Sequence, residues 1–303
     1  MWMLYLAYKG FKAFLEGPLT WENYEQKVID PYGNVMWNYH LFHAMMMGSG
    51  FENIKKMSSS ISPLDYSKTL GNVNDEKLKA SYGTVTEKST KEIRPVDEID
   101  VYFILTPLSN FSGIVPGNGK LNAVISASYN PEKIPLILSH EYAHCLFTPH
   151  ITDYEQIKEL TELAERLPEE KFNQLIAKLY LGQPLKFQIV NEGFASYFPR
   201  LIFENLSIYD ALWTMPKDAV TRCMKNERLV KETIGKDLEQ KGIEIHRKYV
   251  MGGPSATPPK GLPEKTAYYV GYRIIENCSK NMTTKEICSS SVDNIISKSG
   301  YFQ

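Results

Sequence analysis

Apolar positions recur at helical spacing through residues 1–57. The segments WENYEQKVI and NYHLFHAMMM place apolar side chains three and four positions apart, and the turn signal DPYGN separates them. This pattern predicts a helical N-terminal region that begins with an amphipathic helix. Residues 58–95 are polar and weakly patterned, which predicts loops and short helices.

The pattern changes at IDVYFILTPL, residues 99–108, where β-branched and aromatic side chains predict a strand. The following SNFSGIVPGNGK is typical of a glycine-rich loop. After it, LNAVISASY predicts a second strand, which is either an interior strand or an edge strand that pairs with an extended ligand. Two strands in this part of the chain predict a small sheet.

Beyond Pro149 the pattern is mostly helical, through NEGFASYF, KTAYYVGYRIIENC and a short helix near TTKEIC. We therefore predict an α+β fold with three regions. Residues 1–95 form a helical N-terminal region, residues 96–150 a sheet followed by a helix, and residues 151–303 a helical C-terminal lobe.

Composition narrows the class of protein without identifying it. Apolar residues make up 43% of the chain and charged residues 23%, as in ordinary globular enzymes. A formal charge of -1 argues against nucleic acid or a charged membrane surface as partner. The four cysteines, which lack a CxxC pair, indicate neither a thiolate zinc site nor a disulfide framework.

The chain carries no recognisable targeting or membrane-spanning segment. Lys9 and Lys12 interrupt the apolar N-terminus, and no small-residue cleavage site follows. No apolar run reaches the roughly 18 residues needed to span a bilayer. We expect a cytoplasmic protein with no membrane span, and the sequence leaves its oligomeric state open.

The segment LILSHEYAHCLFTPH, residues 136–150, holds three of the six histidines of the chain. His140 and His144 are four positions apart, so a helix would place both imidazoles on one face, where they can bind one metal ion. Glu141 completes an H-E-x-x-H pattern, in which the glutamate acts as general base toward a metal-bound water.

Two residues compete for the place of third metal ligand. His150 has the spacing of the metzincin pattern, but Phe147 occupies the position of the glycine that lets the backbone leave the helix. Glu192, in IVNEGFASYF, would complete the His2Glu set of a catalytic zinc site with one open coordination position. We favour Glu192 and keep a metzincin-like protease that uses His150 as an alternative.

HEYAH followed by NEGFASY resembles the gluzincin peptidases, a group that includes the aminopeptidase N and thermolysin relatives. The resemblance implies a zincin-like fold, with His140, His144 and Glu192 as ligands of one Zn²⁺ ion and Glu141 as base. The glycine-methionine-glutamate-asparagine motif of the aminopeptidases is missing, so exopeptidase action is not supported. The chain also resembles a family of predicted zinc-dependent proteases of unknown function, in which AYYVGYRII, residues 267–275, corresponds to a late tyrosine-rich segment.

Further side chains are candidates for supporting roles. Tyr268 and Tyr272, one helical turn apart, are candidate catalytic donors to the oxyanion, although such a pair is more often explained by core packing. His246 and Arg273 are weaker donor candidates, and Asn191 is a candidate for orienting a ligand. His40 and His43, three residues apart, are better explained as a packed helix face than as a second metal site.

These features predict a zinc-dependent metallopeptidase that hydrolyses peptide bonds by Glu-assisted attack of a metal-bound water. The expected partner is a peptide or protein substrate. The main alternative is a non-catalytic, zincin-like scaffold that binds peptides. An intact Glu141 argues against that alternative, because a purely structural metal site needs no base.

Overall fold

The structure is a computed structural model that describes residues 3–47, 50–107, 111–162 and 166–303. Helices dominate these residues, and four short strands form one sheet. The strands are β1 Leu4–Tyr5, β2 Val101–Ile104, β3 Gly113–Gly117 and β4 Lys120–Ser126. The helices are α1 Tyr8–Leu15, α2 Trp21–Tyr24, α3 Gly33–Met47, α4 Gly50–Ser59, α5 Pro63–Asn72, α6 Asp75–Glu92, α7 Ile134–Ile151, α8 Tyr154–Glu162, α9 Glu169–Ile176, α10 Leu185–Ile202, α11 Ile208–Ala211, α12 Lys217–Lys225, α13 Glu227–Ile234, α14 Ile243–Tyr249, α15 Thr266–Cys278, α16 Thr284–Cys288 and α17 Val292–Ser299. The prediction of a mostly helical α+β fold is confirmed.

The chain divides into two compact units. The first unit comprises residues 1–87, 95–145 and 154–175, and the second comprises residues 88–94, 146–153 and 176–303. Helices α6 and α7 each contribute residues to both units. The first unit holds the sheet, and the second is built from helices. None of the described helices is both long enough and apolar enough to cross a membrane.

The sheet has the strand order β1-β2-β4-β3, with β1, β2 and β4 parallel and β3 antiparallel to β4. Strands β2 and β4 carry an almost unbroken run of buried residues, as expected for interior parallel strands. Leu108, the last residue of the predicted first strand, lies outside the described residues. Because β4 pairs on both sides, it is an interior strand and cannot pair with an extended ligand.

Strand β3 corrects the sequence prediction, which placed a glycine-rich loop at these residues. Asn118 and Gly119, both at positive φ, form a two-residue turn that joins Gly117 to Lys120 in register. The Asn122 side chain donates to the carbonyls of Val115 and Gly117. The Asn-Gly pair was therefore the overlooked sequence signal for this hairpin.

Two helical predictions in the N-terminal region also need correction. The apolar start of the chain includes strand β1, whose main chain pairs with β2, so the first helix begins only at Tyr8. The polar segment near residues 75–92 forms one long helix, α6, and not loops with short helices. Its buried residues are Leu78, Ser81, Val85, Thr86 and Ser89. Since three of these five side chains carry a polar hydroxyl group, the helical spacing does not register as an apolar pattern.

Candidate metal centre

Helix α7 carries the H-E-x-x-H segment. A turn precedes the helix, in which the Asn130 carbonyl and side-chain oxygen accept hydrogen bonds from the main-chain amides of Lys133 and Glu132. Residues 137–148 are buried without interruption, as expected for a helix that is apolar on all sides. The helix therefore holds His140 and His144 in a water-poor environment.

His140, Glu141 and His144 form a cluster that can hold a metal ion. One ligand atom from each residue lies within 4.8 Å of those of the other two, and all three residues are buried. The two imidazole rings meet edge to face, with centroids 5.0 Å apart. The prediction that the spacing of four brings both histidines to one helix face is confirmed.

The negative charge of Glu141 affects the groups around it. Burial first, and then the charge of Glu141, raise the pKa of the Cys145 thiol well above its usual value. Burial and the charge of Glu141 also raise the pKa of Tyr129. A buried carboxylate beside two imidazoles favours a cation, because burying a negative charge is energetically costly. Two imidazole nitrogen donors also suit zinc chemically.

His150 lies away from this cluster. Helix α7 runs on to Ile151, and His150 near its end is exposed. Six residues on a continuous helix correspond to about 600° of rotation, so His150 faces a different side from His144. Phe147 stays helical and buried, and its ring stacks on Phe194 at a centroid distance of 4.6 Å. The backbone turn that a metzincin-like third ligand requires is therefore not formed.

Glu192 lies on α10, in the second unit, and is 9% exposed. Main-chain amides at the start of α10 donate to the carbonyls of Leu238 and Gln240, which satisfies donors that a helix leaves unpaired. The side chain of Asn191 accepts a hydrogen bond of 3.3 Å from the Thr148 hydroxyl. The candidate role of Asn191 in orienting a ligand stays a prediction.

Two glycines let α10 lie directly against α15. A Cβ atom added to Gly193 would lie 2.2 Å from the main-chain carbon of Gly271. A Cβ atom added to Gly271 would lie 1.9 Å from the carbonyl oxygen of Ile189. Gly193, which follows Glu192, and Gly271, which precedes Tyr272, therefore allow the same close backbone contact between α10 and α15.

The two candidate tyrosines lie on α15 in different surroundings. Tyr268 is half-buried, with the Lys265 ammonium 5.7 Å from its ring centroid. Tyr272 is buried, receives a hydrogen bond from Arg200 and donates one of 3.2 Å to Glu276. Burial raises the pKa of Tyr272 to about 12. The oxyanion role of both residues stays a prediction, and the Tyr272 proton is already donated to a carboxylate.

The two weaker donor candidates also differ from each other. Arg273 forms ion pairs with Glu227 and Glu276, at 3.4 and 3.1 Å. His246, on α14, is 5% exposed and hydrogen-bonds to the main chain of Tyr180. Its Nε2 atom is buried and has no hydrogen-bond partner among the described residues.

Sequence reasoning missed one residue near Glu192. Gln188, four positions before Glu192 on α10, donates a hydrogen bond of 3.2 Å to the carbonyl of Tyr180, the residue whose main chain also bonds His246. The i, i+4 spacing of Gln188 and Glu192 was the available signal, because it places both side chains on one face.

The second histidine pair, on α3, packs in the core. The Nδ1 of His40 lies 2.6 Å from the Met36 carbonyl, and its Nε2 lies 2.8 Å from the Tyr24 hydroxyl. Burial lowers the pKa of His40 to about 4 and also lowers the pKa of His43. Because both ring nitrogens of His40 are occupied, this pair offers no second metal site, as expected from the sequence.

Comparison with known proteins addresses the C-terminal part of the chain. No curated protein and no solved structure matches the sequence. A family model, by contrast, matches residues 182–297. This stretch contains Glu192, His246 and the tyrosine-rich segment of α15, and it begins after the H-E-x-x-H helix, α7. The resemblance to a family of predicted zinc-dependent proteases is confirmed: over residues 182–297 the chain matches a family described as "Predicted Zn-dependent protease (DUF2268)".

Proposed function

We propose that this protein is a zinc-dependent peptidase of the gluzincin type that binds one Zn²⁺ ion. The observation that carries the proposal is the buried cluster of His140, Glu141 and His144, whose ligand atoms lie within 4.8 Å of one another. The family description over residues 182–297 supports zinc dependence and proteolysis independently of that cluster.

In this proposal His140 and His144 bind the ion through one ring nitrogen each. Helix α7 fixes the direction of both rings, because their spacing places them one above the other on the same face. Neutral imidazoles are good zinc ligands, and a buried site keeps competing water away from them.

Glu192 is the proposed third ligand. Its support comes from the surroundings of α10, where its neighbours Asn191 and Phe194 contact Thr148 and Phe147. Those two residues follow His144 on the same helix within four positions. A carboxylate from α10 would complete a His2Glu set and leave one coordination position open.

Glu141 is the proposed general base. When bound, zinc polarises a carbonyl group and lowers the pKa of a water molecule. The Glu141 carboxylate would accept a proton from the attacking water and pass it to the leaving amine. Tyr268 and Tyr272 are both kept as candidates to donate a hydrogen bond to the oxyanion, and Tyr272 would have to give up its hydrogen bond to Glu276 to do so.

Metal content tests the ligand set. We expect the gently purified wild-type protein to contain one zinc ion per chain by elemental analysis, and Glu192→Ala to lose it. His150→Ala is the matched control and should retain zinc, since His150 is exposed and outside the cluster. A wild-type protein that cannot take up zinc would refute the proposal, and zinc loss in His150→Ala alone would favour the metzincin-like alternative.

The variant Glu141→Gln tests catalysis separately. It preserves shape and removes the base, so zinc content should stay at the wild-type level. Hydrolysis of a pool of quenched fluorescent peptides should fall by roughly 10²- to 10⁴-fold, the usual contribution of a general base. A Glu141→Gln enzyme as fast as wild type would contradict the mechanism. A wild-type protein that binds zinc and peptides without cleaving them would support the non-catalytic scaffold.

A further inference from the structure

Ser196, on α10, carries a buried hydroxyl that its own helix does not use. The residue is 1% exposed, and its hydroxyl has no hydrogen-bond partner among the described residues. Most buried hydroxyls in the described helices instead donate to a carbonyl three or four positions earlier in the same helix. These are the hydroxyls of Ser58, Ser81, Thr86, Ser139, Thr161 and Ser299. A buried hydroxyl without a partner costs about 1–3 kcal/mol, so native structures rarely retain one without a reason.

Helix α10 places Ser196 beside Glu192. The two residues are four positions apart, so their side chains lie on one face of the helix, one turn apart. Because helical side chains lean toward the N-terminus, the side chain of Ser196 extends toward the turn that carries Glu192. Gly193 lies between them in the sequence, and its close contact with Gly271 holds the main chain of this turn against α15.

Glu192 has a polar neighbour one turn away on each side of the same helix face. Gln188, one turn before it, already donates a hydrogen bond of 3.2 Å to the Tyr180 carbonyl. Ser196, one turn after it, donates to none of the described groups. A carboxylate offers about four lone-pair sites, more than one metal ion uses, and carboxylates that bind a metal accept hydrogen bonds from neighbouring donors as well. Ser196 therefore has the donor that the proposed third ligand would need.

We propose that Ser196 is a positioning residue for the metal centre, whose hydroxyl donates a hydrogen bond to the Glu192 carboxylate when Glu192 binds zinc. Rotation about one side-chain bond redirects the hydroxyl between staggered positions, so the helix itself need not move. The hydrogen bond orients the ligand and strengthens zinc binding, and it contributes nothing to folding without the metal. This inference rests on the proposed function, because it takes Glu192 as a zinc ligand.

Three variants separate the hydroxyl of Ser196 from its packing. Ser196→Ala removes the hydroxyl, and Ser196→Thr keeps it. Ser89→Ala is the matched control, because Ser89 is also a buried helical serine whose hydroxyl has no partner among the described residues. Ser89 lies on α6, so its hydroxyl is not on the helix of Glu192.

The experiment measures two quantities for each variant in the full chain. The first is the dissociation constant of Zn²⁺, from competition with a chromogenic chelator, and the second is the free energy of unfolding of the metal-free protein in urea. We expect Ser196→Ala to weaken zinc binding by about 10-fold, as loss of a hydrogen bond to a metal ligand implies. Its metal-free stability should equal that of the wild type, since the hydroxyl has no partner to lose. Ser196→Thr and Ser89→Ala should both bind zinc like the wild type.

Each other outcome overturns the inference. If Ser196→Ala binds zinc as tightly as the wild type while Glu192→Ala does not bind it, the inference is wrong and the proposed ligand set stands. If Ser196→Ala destabilises the metal-free protein, its hydroxyl serves folding and not the metal centre. If Ser196→Thr or Ser89→Ala binds zinc as weakly as Ser196→Ala, the hydroxyl beside Glu192 is not what sets the affinity. A Glu192→Ala variant that retains wild-type zinc affinity would refute the proposed ligand set, and this inference with it.

Discussion

The histidine pairs on α3 and α7 have similar sequences around them and different surroundings in the structure. Both lie on buried helices rich in apolar residues. One ring nitrogen of His40 hydrogen-bonds to the Met36 carbonyl and the other to the Tyr24 hydroxyl, so both nitrogens have partners within the protein. His140 and His144 instead cluster with a buried carboxylate, that of Glu141.

The difference shows which features of a histidine pair distinguish a metal-binding pair from a pair packed in the core. Burial and helical placement are common to both pairs and do not distinguish a ligand from a core residue. The informative features are the spacing of four, which stacks two rings on one face, and the acidic residue beside the first ring. The α3 pair has a spacing of three and no carboxylate in the segment HLFH.

The largest expected effect is loss of the metal. His144→Ala removes one of the two imidazoles, and we expect zinc in the purified protein to fall to background by elemental analysis. His40→Asn is the matched control, since His40 lies outside the cluster, and it should keep the wild-type zinc content. Equal zinc loss in both variants would mean that the two pairs do not differ as described.

A smaller effect is expected in the dependence of stability on pH. The native pKa of His40 is about 4, while an exposed histidine has a pKa near 6.5. Between these values the unfolded chain binds a proton that the folded chain does not bind, so stability falls as the pH drops from 6.5 to 4. The predicted loss attributable to His40 is about 3 kcal/mol.

Urea unfolding of the metal-free protein, measured across this pH range, checks that value. Metal-free protein is used because acid would also release zinc from His140 and His144. In His40→Gln the fall in stability between pH 6.5 and 4 should shrink by this amount. An unchanged pH profile would show that His40 is not held neutral.

The smallest effect is expected from Tyr24→Phe. This change removes the donor to Nε2 of His40 and leaves a buried lone pair, which should lower the free energy of unfolding by about 2 kcal/mol. Zinc content should not change. If Tyr24→Phe leaves stability unchanged, the hydrogen bond to Nε2 does not contribute to folding.

Much of the fold and of the site could be predicted from the sequence where a strong local pattern exists. The H-E-x-x-H helix, the helix of Glu192 and the two central strands follow from spacing and side-chain type. The β3 strand could also have been predicted, because Asn118 and Gly119 form a typical hairpin turn.

Other features depend on contacts between distant segments and have no local signal. Helix α6 buries serines, which a hydrophobic pattern counts as exposed. The contrast between His40 and His246 depends on whether a hydroxyl from another helix reaches Nε2. The boundaries of the three predicted regions and the roles assigned to the site residues remain predictions.

The contact between Gly193 and Gly271 has a consequence for how related sequences are compared. A side chain at either position would collide with the main chain of the other helix, so a change at one glycine cannot be compensated by a change at the other. The glycines of NEG and VGY lie far apart along the chain, but both are required by the same close contact between two helices. A sequence search that treats these two glycines as separate signs of catalysis therefore counts one packing constraint twice.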